Sequence, residues 1–402
     1  MSTRAEARRE IGTTLSLCIF SMQCIGLSFE RPDGTARLLR QKLIFVASVC
    51  TIVYHVFSEI VYIGLTLSNS PRVEDVVPLF HTFGYGALSK SSTSLVFALW
   101  SKKNVFAEHL DELSGIWPME PLDENVRNIK EKSVASLRLV HQSYFLINVG
   151  GVMFYNVTPI CVYLYELWQG QDAAVGFVWV SWYPFDKYKQ INHVFVYIFE
   201  IFAGQTCVWI MISTDLLFSG LTSHIAMLLR LLHKRLETLA ETEKSQEEYY
   251  QEIVDNIKLH QRLIRYCNDL EEAFTIVNLI NVVFSSLNIC CVVFVIVLLE
   301  PFMAVSNKLF LASALIQIGM LCWYADDIFH CNADVALAVY NSGWYRTDPR
   351  CRRALIFLIR RAQKPVAFTA MKFTNLSLVT YSSILTRSYS YFALLYTMYN
   401  DS

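Results

Sequence analysis

Between residues 378 and 398 an apolar run carries Thr380, Ser383, Arg387, Ser390, Leu394 and Thr397 at successive steps of three and four. On a helix those steps place all six on one face. The other faces hold Leu378, Tyr381, Ile384, Leu385, Tyr391, Phe392 and Leu395. The chemistry open to such a stripe is non-covalent. Hydroxyls in an apolar setting either bond to a neighbouring helix or solvate water and ions in a pore, where a single leucine forms a dewetting constriction. The stripe alone leaves both readings open. Arg387 is at odds with a cation pathway and fits a contact toward a packing layer or a neighbouring charge.

Covalent chemistry has little support. The eleven cysteines are scattered through apolar runs, with no CxxC and no metal-ligand spacing to histidine. Such cysteines act as small hydrophobes. The chain has no glycine-rich phosphate loop, no GxSxG and no HExxH. We therefore expect no enzyme, no metal, no cofactor and no nucleic-acid partner. Hydrophobic residues make up 54% of the 402 residues and charged residues only 17%. A soluble chain carries about a quarter charged residues. A positive mean hydropathy of +0.35 agrees, and the class is a polytopic membrane protein.

The elements that must position the stripe are membrane spans of about 20 residues. Clear candidates are 43–66, 77–100, 138–164, 191–218, 274–299 and 306–325. A seventh, 374–398, is weaker because of its hydroxyls. Lys and Arg in the connections orient them. Six lie in the N-terminal arm, five between spans two and three, seven between four and five, and eight between six and seven. The alternate connections hold only Arg72, Lys187, Lys189 and Lys308. The expected fold is all-α, with seven transmembrane helices, a cytoplasmic N-terminus and an extracellular C-terminus close beyond span seven. This is opposite to a G-protein-coupled receptor. The first ten residues are charged and the apolar stretch 15–27 is interrupted by Ser16, Ser21, Gln23 and Gly26, so no cleavable signal is expected. Asn156-Val157-Thr158 and Asn400-Asp401-Ser402 are glycosylation sequons near the expected outer face.

Cytoplasmic helices should extend the bundle. Leu228, Leu231, Leu232, Leu236 and Leu239 recur at helical spacing, and so do Ile253, Ile257, Ile264 and Cys267. The acidic stretch 241–248 between them predicts a turn, within extensions covering 219–270. RRALIFLIRRAQKP at 352–365 is too short to span and predicts a short packed helix ended by Pro365. The resulting organisation is an arm at 1–41, spans one to six at 42–325, an anchor segment at 326–373 and the last span with its tail at 374–402. Charges inside the spans include Lys90, Arg138 and Glu200, with Glu200 and Lys90 a possible pair.

The C-terminal quarter resembles insect odorant receptors. Tyr340-Asn341 with Trp344-Tyr345 forms one block. Arg361, Gln363-Lys364-Pro365 and Thr369-Ala370 form a second, and SYSYFALL at 388–395 a third. Weaker echoes run upstream around Asp215, His224 and His260, so the resemblance covers most of the chain. The related gustatory receptors end in Thr-Tyr followed by Gln-Phe. Thr380-Tyr381 is present but no Gln-Phe follows, so the odorant family is preferred, with a gustatory-type or non-conducting receptor as the alternative. The resemblance implies an odorant-gated, non-selective cation channel, assembled as a tetramer with a co-receptor in the plasma membrane of olfactory sensory neurons. It makes the stripe a pore wall, Leu394 the narrow gate and 352–364 the anchor between subunits. No long acidic insertion of the co-receptor type is present, which implies an odour-tuning subunit.

The resemblance also implies a volatile ligand in an apolar pocket among the outer halves of spans two to six. Depth along the spans selects Phe80, His81, Phe83, Gly84 and Tyr85 on span two. It selects Ile147, Gly150, Gly151, Phe154 and Tyr155 on span three, and Phe195, Tyr197, Ile198 and Ile201 on span four. Cys291, Phe294 and Val295 on span five, and Phe302 and Met303 beyond it, complete the set. Aromatics and few polar anchors suit small apolar volatiles held by dispersion and shape. Trp168, Trp179, Trp182, Tyr183 and Phe185 in the loop 165–190 would roof the pocket or lie at the membrane interface.

Overall fold

An apolar run in lipid has to satisfy its backbone groups internally, and this chain does so with helices. The computed structural model describes residues 2–29, 35–69, 73–170, 174–240, 245–299 and 305–400. Within these, the side chains of 2–3, 73–77, 81, 83–93, 97, 103, 240 and 400 are not described. Two short helices, α1 (Ser2–Thr14) and α2 (Ser16–Cys24), precede six long ones. These are α3 (Thr35–Ser68), α4 (Val73–Ser114), α5 (Glu124–Trp168), α6 (Gln190–Glu237), α7 (Gln246–Leu298) and α8 (Val305–Asn341). Helix α9 (Pro349–Ala362), a two-residue ladder of β1 (Thr369–Ala370) and β2 (Thr374–Asn375), and α10 (Leu378–Asn400) complete the chain. Among the described residues, five helices, α3, α5, α6, α7 and α8, are long and apolar enough to cross a membrane. With α4 and the shorter α10 they account for the seven expected spans.

Helix α6 is the central post. From Thr206 to Leu232 nearly every side chain is buried, because neighbours surround it on all sides. Peripheral helices instead turn an apolar stripe outward, as Leu139, Leu146, Met153, Val157 and Leu164 do on α5. Such a stripe is stable against acyl chains and not against water.

The long helices continue past their apolar runs toward the basic end of the bundle. The leucines that predicted this, Leu228 to Leu236 on α6 and Leu239 in the turn just after it, are all buried, as are Ile253, Ile264 and Cys267 on α7. Of the acidic turn, residues 241–244 lie outside the described residues. Ser245 and Glu248 then start α7 with a capping box, each side chain bonding the other's backbone N–H. Helix α9 begins three residues earlier than the sequence suggests. Asp348 caps it by accepting from the Cys351 N–H at 2.7 Å, and Pro349 takes the first helical position. Its Leu355, Leu358 and Ala362 are buried while Ile356 and Phe357 are exposed.

The N-terminal segment is docked rather than trailing. The Thr14 hydroxyl lies 2.9 Å from His224 Nε2, and the Lys130 ammonium meets Glu10 at 2.7 Å. The first sequon falls on a buried asparagine, since Asn156 is packed inside the bundle, so that site is closed to a glycan in the folded chain. Asp401 and Ser402 of the second lie outside the described residues.

The last span also starts later than expected. Thr374 and Asn375 pair with Ala370 and Thr369 instead of entering the helix. Met371 and Lys372 close that hairpin in the left-handed region, with φ of 48° and 60°. Ser377 then caps α10 by accepting from the Thr380 N–H at 3.2 Å.

Candidate functional site: a roofed cavity and an outward polar helix

Between α5, α6, α7 and the start of α8 lies a cavity of about 40 Å³. Its wall is mostly apolar: Ile147, Val152, Val208, Met211, Leu309 and Phe310, with Gly151 and Gly204 leaving room. Four polar residues, Asn148, Asn288, Ser306 and Ser313, break that surface. Ser313 donates to Asn148 Oδ1 at 2.6 Å, and Asn148 donates to the Tyr144 carbonyl at 2.8 Å.

The loop before α6 supplies the roof. Trp179 reaches into the cavity wall, stacked on Tyr155 at 4.9 Å between ring centroids. It is held there by Glu200, which is fully buried. One carboxylate oxygen accepts from the Val178 and Trp179 N–H groups at 2.9 and 3.0 Å. The other accepts from the Tyr183 hydroxyl at 3.1 Å, and the indole N–H donates to the Glu200 carbonyl at 3.1 Å. Backbone amides thus partner Glu200, where the sequence suggested Lys90, whose side chain lies outside the described residues. Gly204 sits directly beneath the indole: a Cβ there would stand 2.9 Å from the Trp179 ring. Burial beside this carboxylate raises the Tyr183 phenol well above its ordinary range.

The residues selected by depth separate into groups. Ile147, Gly151 and Tyr155 line the cavity. Tyr197 and Ile201 pack around Trp179, and the Tyr197 hydroxyl donates to the Asn156 carbonyl at 2.6 Å. Phe294 is buried against Phe80, with centroids 4.6 Å apart. Gly150, Phe154, Phe195 and Ile198 are exposed on the outer surface of the helices. The side chains of His81, Phe83, Gly84 and Tyr85, and residues Phe302 and Met303, lie outside the described residues. The depth argument did not select Asn148, Gly204, Val208, Met211, Asn288 or Phe310. Asparagines inside apolar spans were the signal available for two of them.

Below the cavity a second polar centre ties four helices. Asp215 of α6 accepts from the Tyr144 hydroxyl at 2.7 Å, from Gln317 at 2.9 Å and from Asn281 at 3.4 Å.

Helix α10 lies against α7 and α8 with one face and leaves the other open. Tyr381 packs on Gly319, and Ser388 donates to the Ser286 carbonyl at 3.3 Å. Tyr399 meets Phe294 edge-on at 5.8 Å. The stripe faces away from these contacts. Ser383, Arg387, Ser390, Leu394 and Thr397 are all exposed, Leu394 at 59%. Thr380 is half-buried and bonds the Asn375 carbonyl at 2.6 Å. Ser383, Ser390 and Thr397 each donate to the carbonyl four residues back at 3.0 Å. Their protons are therefore spent on their own helix, so these three residues present oxygen lone pairs outward, beside the exposed guanidinium of Arg387.

Residues 76–389 match the family described as 7tm Odorant receptor. The chain belongs to the insect odorant receptor family. That is a family of receptors, not of enzymes, and its members are multi-pass membrane proteins. Among curated relatives, Odorant receptor 85c of Drosophila melanogaster is 27% identical over 96% of this chain and 99% of its own length. Putative odorant receptor 85d of the same species is 27% identical over 88% and 86%. The fold is that of the olfactory receptor OR5 from Machilis hrabei. Its structure in complex with eugenol covers 98% of this chain and 99% of its own, at a TM-score of 0.83 and 14% identity. A second structure of the same receptor gives a TM-score of 0.81 at 15% identity.

Proposed function

We propose that this odorant receptor is an odour-tuning subunit. It takes a small volatile into the roofed cavity and gates a non-selective cation pathway in a heterotetramer with a co-receptor. The observation that carries the pore half of this reading is the open face of α10. A helix in lipid that turns three hydroxyl oxygens and a guanidinium away from its own bundle requires water or a second subunit there. The outward lone pairs suit a hydrated cation, and the exposed Arg387 guanidinium opposes one unless a neighbouring subunit's charge pairs with it. Leu394, the apolar member of the stripe, is the natural constriction.

The ligand half rests on the cavity: its largely apolar wall with few polar groups is the usual lining of a small-molecule site, and at about 40 Å³ it has to widen to admit a volatile. The solved relative holds eugenol, which supports a volatile as occupant. Exposed Ile356 and Phe357 on α9 offer an apolar contact for a neighbouring subunit, as an anchor requires. Charge asymmetry supports a cytoplasmic basic end with α10 running outward, and family membership supports a place in the plasma membrane of olfactory sensory neurons.

Coupling between the two halves has a short path. Helix α7 touches the cavity through Asn288 and holds α10 through the Ser286 carbonyl two residues earlier. A ligand that shifts α7 therefore shifts the pore helix. The test is whole-cell current from cells expressing this chain with and without an odorant co-receptor, across a volatile panel, with G-proteins blocked. A fast cation current that needs both chains is the expected result. A response that disappears with the G-protein block would sink the reading.

A further inference from the structure

Resting on the ligand cavity proposed above, a finer assignment follows from one side chain in its wall. Asn288 lines the cavity and is 7% exposed, yet its carboxamide oxygen has no hydrogen-bond partner among the described residues. A buried polar atom left unpaired costs free energy, and such atoms are rare in folded chains. The other asparagine of the wall is different: Asn148 is bonded on both sides, by Ser313 and to the Tyr144 carbonyl. Of the two asparagines in the wall, one is therefore satisfied and the other is not.

We propose that Asn288 is the specificity-determining residue of this receptor and that its preferred ligands are small volatiles carrying a hydroxyl, rather than hydrocarbons of the same shape. A hydroxyl both donates and accepts, so it pairs with either end of a carboxamide, whichever end turns inward. A ketone oxygen accepts only. A hydrocarbon leaves Asn288 unpaired and displaces any water that would have served it. The rest of the ligand lies against Ile147, Val208, Met211 and Phe310, under the Trp179 indole. Sites built to bond a hydroxyl reject analogues without it far more strongly than apolar sites discriminate one methylene.

The test uses the full chain with its co-receptor and matched volatile sets: hexan-1-ol, hexan-2-one and heptane, and benzyl alcohol against ethylbenzene. In the wild type the alcohols should activate at concentrations at least about tenfold below their hydrocarbon partners, with the ketone between. Asn288→Leu, of similar size, should abolish that ratio, with surface delivery checked by labelling. If the leucine variant is not delivered to the surface, Asn288→Ala removes the same carboxamide without added bulk and is read in the same way. The selectivity ratio is the decisive quantity, because a merely structural role would weaken every ligand together. Equal responses to alcohol and hydrocarbon, a preference that survives loss of the carboxamide, or silence to every alcohol overturns the assignment. A co-receptor-dependent current evoked by any volatile would still leave the channel reading standing in each of those cases.

Discussion

At the scale of the residue, a few side chains carry consequences out of proportion to their size. Leu394 is the one apolar member of the six-residue stripe on α10 and is exposed. On the proposed pore, Leu394→Ala widens and wets the constriction, so current in the absence of ligand should rise severalfold, measured as holding current blocked by a pore blocker. Glu200 gathers three donors from the roof. Glu200→Ala leaves those donors unpaired at a cost of about 1–3 kcal/mol each. The expected outcome is a lower unfolding temperature of the purified chain and reduced surface delivery, with Glu200→Gln intermediate because it keeps one acceptor. The sequence marked these two sites to different degrees. The stripe on α10 was visible because a 3–4 spacing fixes a face whatever the neighbours are. The cavity was visible only in part. Depth along a span can be counted, but rotation about its axis cannot, so Gly151 enters the wall while Gly150, about 100° away, is exposed.

At the scale of the element, the roof and α6 are fitted to each other. Gly204 lets the Trp179 ring lie on the helix where a methyl would collide. Gly204→Ala must push the indole, and the cavity wall with it. Responses to every ligand should shift to concentrations about tenfold higher or more at unchanged surface density, checked by dose–response curves alongside surface labelling. Nothing in the sequence linked Gly204 to Trp179, because their contact depends on how the loop folds back. The same limit applies to Thr374 and Asn375, which read as the first turn of a span. They are drawn into a ladder because the hairpin bonds elsewhere: the Thr369 N–H donates to Glu271 at 2.9 Å and the Met371 N–H to the Thr275 hydroxyl at 3.0 Å. Helix lengths, by contrast, followed from the leucine spacing of α6, since periodicity persists past the apolar run.

At the scale of the whole molecule, the basic end is a packed layer whose stability depends on neutral histidines. Burial, with Arg361 nearby, lowers His260 to about 4, and burial, with His141 nearby, lowers His224 to about 3. Unfolded, each takes a proton near its ordinary value of about 6.5. Stability is therefore complete above about pH 6.5 and falls as the pH drops, until the folded values are passed. Each histidine removes up to about 1.4 kcal/mol per pH unit in that window. The unfolding temperature of the full chain should decline between pH 7 and pH 5, and His260→Gln should flatten part of that slope.

The hairpin before α10 has a mechanical consequence. It fastens the foot of that helix to α7 through Glu271, Thr275 and the Asn278 amide on the Thr369 carbonyl. With its foot clamped, α10 is a lever whose fulcrum is the hairpin. Leu394 stands about 24 Å along the arm from Leu378, at about 1.5 Å per residue. A tilt of about 5° at the fulcrum swings that leucine by about 2 Å, comparable to the radius of a methyl group, while the foot hardly moves. On the proposed pore, a displacement at α7 too small to disturb its packing would thereby be magnified at the leucine where a small change in bore matters.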